Sequence, residues 1–305
     1  MAAIAVIILW ILALPVSAQE TTAESDAAPG AHSPADRSML WTGSGEQALS
    51  QTFPESSVWL ELENEGRALA LFHPEDRTPA LGAVVVLADT GETAASGITR
   101  ALARGLTARG WAVMSLGLEA PSPVLQQILA RSPTPTGEEE AGSSEESSST
   151  QSVMIDVMAS EKAQGLEEQY RSRIGQALSA AVAELKARGY DAPAVLGIGQ
   201  AAVHVANYAL EASEVSALIW VAPRFYPVDR QALPQLLEGM ESRMLELYPS
   251  GGANEASDPE QTIGLTLRRA GVATVDRQPV PWLSPPLEPL GDSVASRVSA
   301  WLQSK

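Results

Sequence analysis

Short apolar runs separated by helical patterns constrain the fold of this chain more than any other feature. The segment Ala83–Ala88 is a continuous, valine-rich apolar run, which is typical of a strand buried on both faces of a parallel sheet. Further runs at Trp111–Leu116, Ala194–Leu196 and Ala217–Val221 alternate with segments of helical periodicity. Serial strand–helix units predict an α/β fold with a doubly wound, mostly parallel sheet.

A hairpin precedes these units. Val58, Leu60 and Leu62 alternate with polar or amphipathic residues, which is the period of a strand with one buried face. The segment Asn64–Gly66 is a turn, and Ala68–Phe72 is a second apolar run. The parallel sheet is therefore expected to begin with an antiparallel N-terminal hairpin.

The chain divides into three parts. Ala2–Leu14 is an uncharged apolar run followed by small residues up to Ala18, which predicts a signal peptide over residues 1–18. Residues 19–52 are polar and show no sustained period, so they are expected to be a mobile leader, and residues 53–305 form a single domain. Export predicts a periplasmic protein with no membrane association after cleavage. A retained membrane anchor is the alternative.

An acidic insertion interrupts the domain at about residues 132–160. Glutamates, serines and Pro-Thr repeats dominate its first two-thirds, with no basic residue and no large apolar residue between Pro133 and Ser152. Such a segment cannot bury enough apolar surface to order itself, so a disordered loop is expected. It is either a neutral surface insertion or a lid that attracts cations over a site.

The charge and the residue types exclude several functions. Asp and Glu number 37 against 20 Lys and Arg, a formal net charge of −17, so binding to nucleic acids or anionic lipids is not expected. There is no cysteine and no HExxH motif, and His32, His73 and His204 lie far apart in the sequence. No metal site and no cofactor are therefore expected.

The turn after the run Ala194–Leu196 fits two templates. Gly197, Gly199 and Ala202 match the dinucleotide fingerprint G-x-G-x-x-A. That template requires an acidic residue after the next strand, where the chain has Ala222–Arg224 instead. The second template is the nucleophile elbow G-x-S-x-G, in which Gly199 takes the place of the serine and small residues remain on both sides.

The order of these features resembles the α/β-hydrolase superfamily. The hairpin is followed by Ala83–Leu87 with Asp89–Gly91, by Gly110–Val113, by the elbow-like turn and by the tail Arg297–Leu302. More narrowly, the chain resembles an uncharacterised family of exported bacterial α/β-hydrolase-like proteins, a domain of unknown function. The resemblance extends over residues 59–302.

The resemblance implies a catalytic triad that this chain does not complete. The serine of the family falls on Gly199, the acid follows Met244–Leu247, and the histidine follows the strand near Val280. His204 is the last histidine of the chain, so no histidine is present for the third position. The residues available after that strand include Asn254, Glu255 and Asp258, of which Glu255 and Asp258 carry a carboxyl group.

These observations predict a binding or scaffolding protein for an unknown small ligand or periplasmic protein. An esterase-like hydrolase with a relocated or non-standard catalytic group is the alternative. No catalytic residue is assigned. The candidate site combines the elbow-like turn with the loop after Ala83–Ala88, whose amides are expected to contact a small anion or carbonyl. Its residues are Gly197, Gly199, Gln200 and Ala201 in the turn, and Asp89, Thr90 and Gly91 in the loop.

Overall fold

The computed structural model describes the central and C-terminal parts of the chain. The described residues are 44–63, 66–131, 149–238, 240, 242–250, 263–264, 267, 275–281, 283 and 285–304. Contacts divide the chain into units 1–38 and 39–305, and all described residues belong to the second. The expected signal peptide and residues 19–43 of the expected leader lie outside the described residues.

Eight strands form one sheet in the order β1-β2-β4-β3-β5-β6-β7-β8. The strand β2 pairs antiparallel with β1 and β4, and all other neighbours are parallel. The predicted fold class is confirmed, including the antiparallel hairpin at the start. The strands are β1 Ser57–Glu61, β2 Arg67–His73, β3 Gly82–Thr90, β4 Trp111–Leu118, β5 Ala194–Ile198, β6 Ala217–Val221, β7 Arg243–Ser250 and β8 Val275–Pro281.

Helices cover both faces of this sheet. They are α1 Ser44–Thr52, α2 Gly97–Thr107, α3 Pro123–Ala130, α4 Ser149–Ala187, α5 Ala201–Glu211, α6 Pro227–Leu236 and α7 Gly291–Gln303, with a 3₁₀ turn at Glu288–Leu290. Side chains alternate along β3 between two core layers: Val85 and Leu87 pack with α4 and α5, and Val84 and Val86 pack with α2 and α7. This two-sided burial explains the continuous apolar run in the sequence.

Two expected boundaries need correction. The helix α1 lies within the segment expected to be a mobile leader, where Glu46 Oε1 accepts a hydrogen bond of 3.0 Å from Leu69 N on β2. The helix α4 begins at Ser149, well before the expected end of the acidic insertion at about residue 160. The last strand covers Val275–Pro281 and includes Val280, near which the resemblance implies a strand. Residues 132–148 of the insertion lie outside the described residues.

No helix in the described part of the chain is both long and apolar enough to cross a membrane.

Candidate functional site

The turn between β5 and α5 places Gly199 at the carboxyl edge of the sheet. Gly199 has a φ of +58°, in the left-handed region that favours glycine. Its amide donates to Val221 O on β6 at 2.9 Å, and its carbonyl accepts from Arg224 N at 3.0 Å. A Cβ on Gly197 would approach Val205 Cγ2 to 2.7 Å, so this glycine lets α5 pack closely on β5. Small residues are therefore required on steric grounds at both positions.

The carboxylate of Asp89 lies directly against this turn. Asp89 Oδ1 accepts hydrogen bonds from Thr90 N at 2.8 Å and from Gln200 N at 3.0 Å. A Cβ built on Gly199 would overlap the same carboxylate. The side chain of Asp89 therefore fills the space in which a side chain at position 199 would begin, and it binds two amides of the kind that form an oxyanion hole.

This arrangement corrects one expectation from the sequence. The amides of the loop and of Gln200 were expected to contact an external anion or carbonyl, and two of them bind the chain's own carboxylate instead. The amide of Gly91, the third predicted loop residue, donates instead to Leu118 O on β4 at 2.8 Å. Ala201 begins α5 and is fully buried.

Arg224 completes the charge balance at the elbow. It lies in the loop between β6 and α6, and its Nη2 donates to Asp89 Oδ2. Its side chain is 51% exposed, whereas that of Asp89 is 13% exposed. Sequence reasoning considered Arg224 only as the wrong residue for a ribose-binding acid and missed this ion pair. Its position directly after a strand, at the same edge as Gly199, is the signal that was available.

A small enclosed cavity of about 10 Å³ adjoins the elbow, with room for about one water molecule. Two oxygens beside it, Thr90 Oγ1 and Gln200 Oε1, are buried and make no hydrogen bond of ordinary geometry to a described residue. Ten residues line the cavity: Thr90, Leu129, Tyr170, Arg171, Gln200, Val203, His204, Arg224, Tyr226 and Asp229. Unsatisfied buried oxygens are costly, so this cavity is suited to a group that donates hydrogen bonds.

The far wall of the cavity carries a buried ion pair. Arg171 Nη2 donates to Asp229 Oδ1 at 2.6 Å, and Arg171 also pairs with Glu167 at 2.8 Å. Burial raises the pKa of Asp229, against the opposing effect of Arg171. Burial likewise raises the pKa of the Tyr170 and Tyr226 phenols, so both are neutral at physiological pH. Tyr170 donates its hydroxyl hydrogen to Glu119 O at 2.9 Å.

His204 lies on the same wall and is uncharged at neutral pH. Its ring packs edge to face with that of Tyr170, with 5.5 Å between the ring centroids. Burial lowers the pKa of His204 to about 3, and the charge of Arg171 adds to this effect. An imidazole with so low a pKa is a poor proton acceptor at neutral pH.

The other sequence candidates lie apart from the elbow or outside the described residues. His73 ends β2, and burial lowers its pKa with a further contribution from Arg100. His32 lies outside the described residues, as do Asn254 and the acid candidates Glu255 and Asp258. Within the described ranges, no group of three or more His, Asp or Glu residues is arranged to hold a metal ion.

Known proteins resemble this chain in sequence family and in fold. Residues 1–269 match the family described as protein of unknown function, DUF3530. The comparison with curated proteins found no match. One similar solved structure is an esterase of Pyrococcus furiosus, with a TM-score of 0.53 and 10% identity over 81% of this chain and 89% of the other. A second is a dienelactone hydrolase of Anabaena variabilis, with a TM-score of 0.50 and 15% identity over 80% of this chain and 94% of the other. A third is Est1E of Butyrivibrio proteoclasticus, with a TM-score of 0.50 and 10% identity over 81% of this chain and 98% of the other.

At 10–15% identity, these structures establish a likeness of fold alone. This chain therefore belongs to the DUF3530 family of proteins of unknown function, and its domain has an α/β-hydrolase-like fold.

Proposed function

We propose that this protein binds a ligand at the elbow and does not hydrolyse esters by a serine–histidine–acid mechanism. The position of the Asp89 carboxylate carries the proposal. It occupies the two amides of Thr90 and Gln200 and the space beside Gly199.

The chemistry of acyl transfer explains why this position matters. The reaction needs a nucleophile, a base oriented towards it, and donors for the negative charge that develops on the carbonyl oxygen. Position 199 has no side chain, and no histidine follows His204 in the sequence. A carboxylate on the oxyanion-hole amides adds a negative charge where the transition state would place another. The elbow therefore has no nucleophile at position 199, no histidine follows position 204, and the donors for the carbonyl oxygen are occupied.

An esterase-like hydrolase with a non-standard catalytic group is the second candidate. One observation favours it: the Asp89 carboxylate lies at the elbow, where a relocated nucleophile would have to lie. This candidate predicts ester turnover that depends on Asp89.

Incubation of the purified protein with a fluorophosphonate probe and with short-chain p-nitrophenyl esters separates the two candidates. We expect no labelling of a serine, and the same background ester turnover in the wild type, in Asp89→Asn and in the matched surface variant Asp191→Asn. Asp191 is exposed and precedes β5, whereas the elbow follows the other end of that strand. Turnover that is lost only in Asp89→Asn would establish the hydrolase instead, and labelling of a serine would contradict the proposal.

A dinucleotide-binding role receives little support from the turn. A pyrophosphate would need the amides at the N-terminus of α5, and the Asp89 carboxylate already accepts from Gln200 N. Titration with NADH while tryptophan fluorescence is monitored tests this role. We expect no saturable quenching at micromolar concentrations.

We further propose that the protein acts in the periplasm after cleavage behind Ala18, with a small molecule or a periplasmic protein as its ligand. The uncharged apolar run Ala2–Leu14 supports this location. The intact mass of the protein recovered from the periplasm tests it. A mass that corresponds to a chain beginning at Gln19 is expected, and an uncleaved chain in the membrane fraction would contradict it.

A further inference from the structure

The two members of the elbow ion pair are held very differently. Asp89 is nearly buried and is fixed by two backbone amides, which do not move unless the turn itself moves. The side chain of Arg224 is half exposed, and in the described part of the chain Asp89 is the one acceptor recorded for its guanidinium. Because the two amides continue to bind Asp89 when its half-exposed partner moves, the Arg224 side chain can leave while the carboxylate stays in place.

The charges around the cavity favour a cation in the vacated position. The cations Arg171 and Arg224 contact three carboxylates, those of Asp229, Glu167 and Asp89, and the other titratable side chains on the cavity wall are neutral. Withdrawal of Arg224 leaves a net charge of about −2 on this group. An external anion would meet amides that are already occupied and a carboxylate that repels it.

The hydrogen-bonding groups beside the cavity also favour a cation. Thr90 Oγ1 and Gln200 Oε1 are buried oxygens that make no hydrogen bond of ordinary geometry among the described residues, although Thr90 interacts with Tyr170 and Gln200 with Tyr226. Ammonium and guanidinium groups carry only donors. The aromatic rings of Tyr170 and Tyr226 line the same cavity and can stabilise a desolvated cation. Arg224 lines it as well, so its withdrawal also enlarges the space.

An acidic groove lies next to the cavity, between α4, α5 and α6. Arg171, Val203, His204 and Asp229 line both the cavity and this groove, whose volume is about 1210 Å³. Seven carboxylates line the groove among the described residues, against one guanidinium. An acidic cleft in a chain with a net charge of −17 attracts cations from solution.

From these observations we propose that the elbow is a binding site for a cationic ligand, whose guanidinium or primary ammonium group takes the place of the Arg224 guanidinium on Asp89. The site rests on the proposed binding function and gives the chemical class of the ligand. Arg224 is the internal occupant that the ligand displaces.

Titration calorimetry at physiological ionic strength tests this site, with agmatine, spermidine and a blocked Gly-Arg-Gly peptide as probes. Since Arg224→Ala removes the competing guanidinium, we expect it to bind agmatine at least tenfold more tightly than the wild type does. The double variant Asp89→Asn/Arg224→Ala is expected to lose this gain. A preference for the peptide over the two free amines identifies an arginine side chain as the source of the cation, and the reverse preference identifies a small molecule.

Arg188→Ala is the matched control, because Arg188 is also a partly exposed arginine paired with a carboxylate, that of Glu184. It is expected to bind agmatine as the wild type does. Arg224→Gln provides a second variant that keeps the bulk of the side chain, and both variants are checked for a native circular dichroism spectrum.

Three outcomes would overturn the cation site: an equal affinity of Arg224→Ala and the wild type for all three probes, an agmatine affinity that is insensitive to Asp89→Asn, or tighter binding of acetate or phosphate than of agmatine. Each of them leaves the hydrolysis assay unaffected. Ester turnover that depends on Asp89 would contradict the proposed function, whether or not the cationic probes bind. Failure of the cation site and failure of the proposed function are therefore distinguishable.

Discussion

Two carboxylate–guanidinium ion pairs lie at the sheet, and their carboxylates are stabilised by different groups. Glu246 on β7 and Arg277 on β8 are cross-strand partners, and Arg277 contacts both carboxylate oxygens, with Nε–Oε2 at 2.5 Å and Nη2–Oε1 at 3.2 Å. The Glu246 side chain is fully buried. At the elbow, backbone amides bind one oxygen of Asp89, and a half-exposed Arg224 binds the other.

The difference lies in what each carboxylate needs from its arginine. Burial raises the pKa of Glu246, and the hydrogen bond and charge of Arg277 oppose that rise. The sheet pair is therefore structural, because the ionised carboxylate depends on Arg277. Asp89 has its amides in addition, so Arg224 can exchange with a ligand. Four predictions test this contrast, in order of decreasing effect.

The largest effect is expected when the sheet pair loses its arginine. Arg277→Met leaves a buried carboxylate without its charged partner, which costs about 3–5 kcal/mol of unfolding free energy at pH 7. Urea unfolding followed by circular dichroism measures the loss. The double variant Glu246→Met/Arg277→Met is expected to regain most of it, because no buried charge remains.

The loss in Arg277→Met is also expected to shrink at lower pH. Glu246 has a raised pKa in the folded protein, so the folded state binds a proton more readily than the unfolded chain does. Its contribution to stability is present below the unfolded pKa and is lost as the pH rises through the folded pKa. A loss below about 1 kcal/mol at pH 7 would contradict the structural role.

A side chain at position 199 is expected to have the second largest effect. Gly199→Ser combines left-handed backbone strain with overlap of the Asp89 carboxylate, a cost of about 2–4 kcal/mol in urea unfolding. Adding Asp89→Gly should recover the part due to overlap, while esterase activity stays absent because no base is supplied. If Gly199→Ser alone is as stable as the wild type, Asp89 does not occupy the elbow.

His204, on the cavity beside the elbow, is expected to have a smaller and pH-dependent effect on the unfolding free energy. Its pKa of about 3 in the folded protein lies below the usual 6.5, so between these values the unfolded chain carries a proton that the folded protein lacks. Stability present above pH 6.5 is therefore lost as the pH falls. From pH 7 to pH 5 we expect His204 to account for a loss of about 1–2 kcal/mol.

Urea unfolding of His204→Gln at both pH values measures this contribution, and the variant should show a correspondingly flatter dependence. His73→Gln serves as the comparison, since burial lowers the pKa of His73 in the same direction. An unchanged pH dependence in His204→Gln would mean that His204 is solvated and protonates freely.

The smallest effect is expected for the arginine of the elbow. Arg224→Ala should change the unfolding free energy by less than about 1 kcal/mol, because an exposed partner is lost and Asp89 keeps its two amides. The same urea experiment checks this value beside Arg277→Met. A loss as large as that of Arg277→Met would remove the contrast and make Arg224 a structural residue.

Much of the architecture could be predicted from local patterns. The valine-rich run of β3 predicted a strand buried on both faces, and alternation in β1 predicted the antiparallel hairpin. Side-chain periodicity carries this information because burial repeats every two residues in a strand. The helix α1 was missed, since a polar nine-residue segment has no strong period and packs through contacts such as that of Glu46 with β2.

The elbow shows where prediction from the sequence ended. Small residues at positions 197 and 199 located the tight turn between β5 and α5, because only they fit its backbone and the close helix packing. Nothing local to Asp89 indicated its partners. Gln200 lies 111 positions away along the chain and Arg224 lies 135 positions away.

By itself, then, the sequence determined the fold class, the position of the turn and the missing serine at position 199, since each is a matter of residue type or of local period. Only the tertiary structure decided that the space beside Gly199 holds a carboxylate, that backbone amides satisfy it and that its arginine is exposed. The physical reason is that parallel strands bring their carboxyl ends to one edge of the sheet, where loops far apart in the chain become neighbours.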